Sequence, residues 1–268
     1  MERVRQPAVA GSFYPDEPER LRAQLRRLLE EAPRAPALAA VVPHAGWIYS
    51  GPVAGAVYSR LELPALAILL GPNHTGLGAA ASIMSAGRWR YPGGEVPIAG
   101  RLAEALRREA PHLQEDPLAH LQEHALEVQL PFLHHLRADL EMVPITLMRT
   151  DLGFCREVGE GVARAVRAVG EPTLLLASTD LNHYESQEIS NRKDRLAIDA
   201  ILALDPERLD RAVQEHDISM CGIAPTLATL YAVRALGAGG ARLIRYQTSG
   251  DVSGDFQRVV GYAGVIIT

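Results

Sequence analysis

The chain of 268 residues has two cysteines, Cys155 and Cys221, and one lysine, Lys193. Two thiols are too few for the disulfide framework of small secreted domains. Residues 1–7 lack the apolar core of a signal peptide, so the expectation is a reducing cytoplasm. The longest apolar stretches, residues 65–70 and 174–177, fall far short of the roughly 20 residues of a spanning helix, so no membrane is expected. Basic residues interleaved with aromatics are absent, and 27 Lys+Arg against 32 Asp+Glu leave a net charge of −5, which disfavours nucleic acid as a partner. There is no Gly-x-Ser-x-Gly elbow, phosphate loop or Gly-x-Gly-x-x-Gly fingerprint, so serine hydrolases, P-loop enzymes and dinucleotide enzymes each lack their key feature. With no Ser/Gly linker, low-complexity tract or repeat, a single domain over 1–268 is expected.

With 47% hydrophobic and 22% charged residues, a chain of this length buries roughly 75% of its unfolded surface and needs no metal merely to fold. Any metal site must therefore be argued from chemistry. The pattern predicts a helix over 16–31, with Asp16 and Glu19 as a capping box. Apolar runs at 38–42, 66–70, 81–84, 142–146, 173–177, 242–246 and 259–267 read as strands. Stretches at 52–61, 99–109, 121–136, 154–169, 191–204, 206–216 and 224–236 read as helices. This alternation predicts an α/β fold with helices flanking a largely parallel central sheet. The link between the last two strands is too short for a crossover helix, so they are expected to pair antiparallel and make the sheet mixed.

Ligands of open α/β sheets bind beyond the carboxyl ends of the strands. His44, His74 and His183 all follow apolar runs there, beside turn residues such as Pro43, Gly46, Pro72 and Asn182. Singly, each reads as a hydrogen-bonded turn residue; their repeated placement brings metal ligation or acid/base work to even weight. Cys221 precedes a helix carrying Pro225, where backbone N–H groups lower a thiol pKa; a buried apolar cysteine is the equal alternative. Cys155, on a helical pattern, reads as core. Glu127, three residues from His124 on the predicted helix, can share its face, although a solvated surface pair fits the spacing better. His134 and His135 suit the C-terminus of that helix. Asp180, three residues before His183, can fix its tautomer as an acid/base pair or cap the local turn.

Several stretches together carry a resemblance: Arg5-Gln6-Pro7-Ala8-Val9-Ala10-Gly11-Ser12-Phe13-Tyr14-Pro15, Pro43-His44-Ala45-Gly46-Trp47-Ile48-Tyr49-Ser50-Gly51, Gly71-Pro72-Asn73-His74, Glu123-His124 with Gln129-Leu130-Pro131-Phe132, Ser178-Thr179-Asp180 with His183-Tyr184, and Met220-Cys221-Gly222. In this order, over essentially the whole chain, they resemble the Memo family, whose prokaryotic members are called AmmeMemoRadiSam system protein B. The resemblance implies a fold like that of LigB-type class III extradiol dioxygenases, with metal ligands at His44, His74 and Cys221. It implies an acid/base role for His183 with Asp180, and substrate contacts from His124, Trp47 and Tyr49.

Extradiol enzymes hold Fe(II) with two histidines and a carboxylate. A thiol at Cys221 takes the third position here, so ring cleavage is not implied, and Asn182 replaces the serine usual in the family motif. The softer ligand set suits iron or copper, with zinc as a further option. Three functions follow from the resemblance and the ligand set: a metal-dependent oxidoreductase, a module binding a peptide or protein in the same cleft, and a zinc hydrolase. The expected partners are the system's protein A and radical SAM protein, besides a small-molecule or peptide ligand.

Overall fold

A computed structural model describes residues 3–268; Met1 and Glu2, part of the expected domain and of the segment read for a signal peptide, lie outside the described residues. In chain order the elements begin with β1 (Val4–Arg5), α1 (Pro18–Leu28), β2 (Ala39–Val42), α2 (Trp47–Tyr58), β3 (Leu66–Pro72) and β4 (Ala81–Ile83). They continue with β5 (Arg88–Tyr91), β6 (Gly94–Pro97), α3 (Gly100–Glu109), β7 (Gln114–Glu115), α4 (Leu118–Leu121), α5 (Leu130–Leu136), β8 (Glu141–Leu147) and α6 (Leu152–Val169). The last are β9 (Thr173–Ser178), β10 (His183–Glu185), α7 (Gln187–Leu202), α8 (Pro206–Glu215), α9 (Ile223–Leu236), β11 (Ala241–Thr248), α10 (Gly250–Ser253) and β12 (Val259–Ile267).

The runs that are apolar at every position form the centre. β2 and β9 are buried along their whole length, as parallel strands covered on both faces must be. The large sheet runs β10-β12-β2-β9-β3-β8-β4-β7, with β11 also on β12. β2, β9, β3 and β8 are mutually parallel, whereas β12 is antiparallel to β2, β10 and β11, and β4 to β8. The expected α/β fold with a mixed sheet is present, parallel at its centre and antiparallel toward its flanks. β1, β5 and β6 form a separate small sheet that the apolar pattern does not mark. α6 packs between α3 and α9, α9 covers β3 and β9, and α2 and α7 pack on β11 and β12. No helix of the described residues is long and apolar enough to cross a membrane.

Four predicted helices differ from those observed, among them α7, which starts at Gln187 behind a Ser186 cap rather than at 191. α1 starts at Pro18, whose fixed φ suits a first helical position, and no side chain caps it; Glu19 pairs with Arg22 instead. α2 begins at Trp47 and carries Pro52 inside it, and the carbonyl of Pro52 accepts Arg245 Nη1 at 3.0 Å. The expected helix over 121–136 is broken into α4, an irregular turn, a 3-10 turn over Glu127–Gln129, and α5. The cause is Arg5, whose Nε and Nη2 take the carbonyls of His120 (3.0 Å) and Glu123 (2.7 Å). A continuous helix would need those acceptors for residues four further on.

β9 lies between β2 and β3, so three neighbouring parallel strands end side by side. His44, His74 and Asp180 each stand two residues beyond the end of one of these strands. Strand order, rather than closeness in sequence, assembles the site.

Candidate metal centre

Ser178 organises the floor. Its hydroxyl donates its one proton to the Ala125 carbonyl at 2.7 Å, so it can only accept from Gln129 Nε2 and His44 Nδ1, both at 3.0 Å. His44 is thereby held as the Nδ1–H tautomer with a bare Nε2, which lies 3.2 Å from Cys221 Sγ. Gln129 is itself fixed by Tyr58 OH (2.8 Å) and the Pro43 carbonyl (2.9 Å). At His74 the partner is a carboxylate: Nδ1 donates to Glu123 Oε1 at 2.9 Å and the backbone N–H to Oε2 at 2.5 Å. His74 therefore also keeps Nε2 free. Histidine ligands of metals characteristically give their second ring nitrogen to such a partner.

Ligand atoms of His44, His74 and Cys221 lie within 4.8 Å of one another. On a tetrahedral metal, nitrogen and sulfur ligands are about 3.5 Å apart, close to the 3.2 Å between His44 Nε2 and Cys221 Sγ. The two bare Nε2 atoms and the thiol thus fit a first-row metal ion. His74, Glu123 and His124 also fall within 4.8 Å. Glu123, however, is already committed to His74 and to Ala125 N–H at 2.9 Å, and so orients ligands rather than being one.

The three imidazoles of His44, His74 and His124 cluster with ring centroids 4.6–5.4 Å apart. Burial, then the neighbouring His74, push His44 down to about 3; burial and His44 push His124 down to about 4. Both are neutral at pH 7, the form whose nitrogen can bind a metal. Burial works to raise Glu123, but the hydrogen bond from His74, with that from Ala125 N–H, outweighs it and brings it down to about 2. Burial raises Asp180, opposed by the N–H groups of His44 (2.8 Å) and Ala45 (3.4 Å) that it accepts.

Cys221 departs from the expectation of a lowered thiol. α9 begins only at Ile223, and Sγ is packed against Asp180, whose N–H donates to it at 3.3 Å. Burial, with the Asp180 carboxylate, pushes the thiol up. Gly222 makes this packing possible, since a Cβ there would lie 2.5 Å from the Ser178 carbonyl oxygen. Cys155 is fully buried, and burial pushes it up to about 12, as a core cysteine.

Above these atoms is a cavity of about 290 Å³ lined by His44, His74, His124, Asp180 and His183 together with Phe13, Tyr184 and Tyr262. Of the residues singled out in the sequence, His44, His74, Cys221, His124, Asp180 and His183 therefore meet in one place. His183 Nδ1 donates to the Ser219 carbonyl at 2.8 Å, leaving Nε2 bare. Ser219, not Asp180, fixes this tautomer, because Asp180 is turned to the backbone of the His44 turn. Glu127 does not share a face with His124; it is buried against Arg5 and accepts Tyr14 OH at 2.7 Å. Trp47 is core, 2% exposed, its Nε1 donating to the Val128 carbonyl at 3.1 Å. Tyr49 lies on the surface outside the cavity lining. His134 bonds Tyr91 OH (2.8 Å) and the Ala138 carbonyl (3.1 Å) near the end of α5. Ser219 is chemically ordinary in sequence, whereas Ser178, Gln129, Phe13 and Tyr184 lie within stretches that the resemblance marks without giving them a role.

Residues 5–266 match the family model described as Memo-like protein. A MEMO1 family protein of Methanopyrus kandleri is 42% identical over 277 residues, covering 98% of each chain. One from Methanocaldococcus jannaschii is 40% identical over 287 residues, covering all of both. Among solved structures, an uncharacterized protein of Escherichia coli K12 shares the fold, with a TM-score of 0.55 and 14% identity, covering 84% of this chain and 98% of that one. With the family pattern matched from end to end, and with relatives of this identity, the chain belongs to the Memo-like protein family.

Proposed function

We propose that the chain binds a redox-active first-row metal, iron or copper, through His44, His74 and Cys221, and acts as a metal-dependent oxidoreductase on a small molecule. The observation that carries this reading is the convergence of three ligand atoms within 4.8 Å beneath an open cavity whose wall includes His183. Two imidazoles and a sulfur are borderline-to-soft donors, suited to iron, copper and zinc rather than magnesium or calcium. A metal bound there would supply Lewis acidity and electron transfer. His183 presents Nε2 to take up or deliver a proton, while Asp180 holds the His44 turn and borders the cavity. The test is elemental analysis of protein purified without oxygen, wild type beside Cys221→Ser. Iron or copper lost in the variant is expected; protein that stays metal-free after iron and copper challenge overturns the reading. Zinc alone, lost in the variant, would point to a hydrolase instead.

A second reading has its own observation. Ile48 and Tyr184 are each 65% exposed, and Ile48 with the half-exposed Tyr49 stands just past the cavity-lining Gly46 and the buried Trp47. Apolar surface beside a cleft suits a docked protein, the system's protein A or its radical SAM protein. Binding of either partner that survives Cys221→Ser would separate docking from the metal.

A further inference from the structure

The β10 side of the cavity is built from an irregular strand. Successive side chains of a regular strand point to opposite faces, yet His183 and Tyr184 both line the cavity. A bulge makes this possible. His183 pairs with Val260 and Glu185 with Val259, so two steps along β10 are matched by one along β12. Tyr184, the extra residue, takes φ 63°, a left-handed backbone unfavourable for a bulky side chain. Tyr184 is 65% exposed, so burial does not hold it there. Ser219 does: its hydroxyl accepts His183 N–H at 2.8 Å and its carbonyl accepts His183 Nδ1. Strain kept at a cavity mouth without gain in burial points to use of the ring.

The guanidinium of Arg258 lies over the Tyr184 ring, 5.7 Å from its centroid. It is exposed and has no carboxylate partner among the described residues; nearby Glu185 pairs with Lys193 at 2.7 Å. A guanidinium held by its face keeps its N–H edge open for a bidentate oxyanion. The cavity itself has flat walls. Phe13 packs on His124 with centroids 4.7 Å apart, and Tyr184 and Tyr262 come from β10 and β12, across β2 from the β3 side that supplies His74.

We propose that Tyr184 and Arg258 form a recognition rim, and that the substrate is a small flat molecule carrying a carboxylate or phosphate, paired by Arg258 while its plane lies along Tyr184. For the reacting end of that molecule the proposal rests on the metal reading above; the rim itself does not.

Calorimetric titration of zinc-loaded protein with benzoate, phenylphosphonate and benzamide tests it. One of the anions is expected to bind at least tenfold tighter than the amide, and which one identifies the group recognised. Arg258→Ala removes that preference and Arg258→Lys restores part of it. Tyr184→Gly, which tolerates the backbone, weakens anion and amide alike, whereas Tyr184→Phe does not. Zinc content stays at the wild-type level in all four variants. Equal affinity for anion and amide, an unchanged anion affinity in Arg258→Ala, or no binding by any probe overturns the proposal. Wild-type protein that takes up none of zinc, iron and copper yet prefers an anion through Arg258 would sink the metal reading and leave the rim standing.

Discussion

Replacing Arg5 by methionine is expected to be the most damaging single change outside the proposed metal ligands. Arg5 is fully buried and ion-paired with Glu127, which is equally buried. It also donates to the carbonyls of His120 and Glu123, and its guanidinium stacks on Trp89, 4.6 Å from the ring centroid. Methionine keeps most of the length but removes the charge and every donor. Glu127 would retain Tyr14 OH and the N–H groups of Ala8 (2.7 Å) and Val9 (3.1 Å), yet remain a buried carboxylate without a cation. Breaking one side of a buried pair costs about 3–5 kcal/mol, and two lost charge-assisted bonds push the total toward the upper end. Against a typical total stability of about 5–15 kcal/mol, the melting temperature should fall by on the order of 10 °C.

The same change reaches the candidate metal centre, because Glu123, whose carbonyl Arg5 holds, also orients His74. Loss of an outer-shell partner of this kind lowers metal affinity by about 10–100-fold. Urea unfolding of Arg5→Met beside the double variant Arg5→Met/Glu127→Leu, with zinc titrations of both, measures the two effects. The double variant should recover part of the stability but not the zinc affinity. A stability loss below about 1 kcal/mol, the range of an exposed ion pair, would refute this account of the pair.

Gly222→Ala places a Cβ 2.4 Å from Thr179 Cβ and 2.5 Å from the Ser178 carbonyl oxygen, and should cost about 1–3 kcal/mol while displacing Cys221. Unchanged melting temperature and zinc affinity would contradict it. Burial, then the charge of Arg5, push His120 down to about 4, with its ring against Trp89 at 5.6 Å. Between pH 6.5 and about 4 the unfolded chain takes up a proton that the folded one excludes, so this group removes stability as pH falls, by up to roughly 3 kcal/mol. His120→Phe should therefore lose less stability than wild type between pH 7 and pH 4.5; urea midpoints that fall equally in both proteins would count against it.

The sequence alone determined the class of fold, because burial on both faces leaves strands such as 173–177 apolar at every position, a pattern local enough to read. It also picked out residues whose chemistry could hold a metal. His44, His74 and Cys221 are rare residue types in turn-rich contexts just past apolar runs or before a helix, and the resemblance joined them into one ligand set. What it could not supply were roles set by partners far along the chain. Glu127 was the natural companion of His124 by helical spacing, but Arg5, over a hundred residues earlier, breaks that helix and claims Glu127, leaving Glu123 to orient His74. Trp47, in a motif full of site residues, turns inward onto Phe132, because the first turn of a buried helix has one side against the core. The ring tautomers of His44 and His183 rest on the Ser178 hydroxyl and the Ser219 backbone carbonyl, acceptors that residue type alone does not assign to them. Residue type and local period decided what chemistry was available. Strand order and long-range hydrogen bonds, which place β2, β9 and β3 side by side and distribute each proton, decided which atoms are free to perform it.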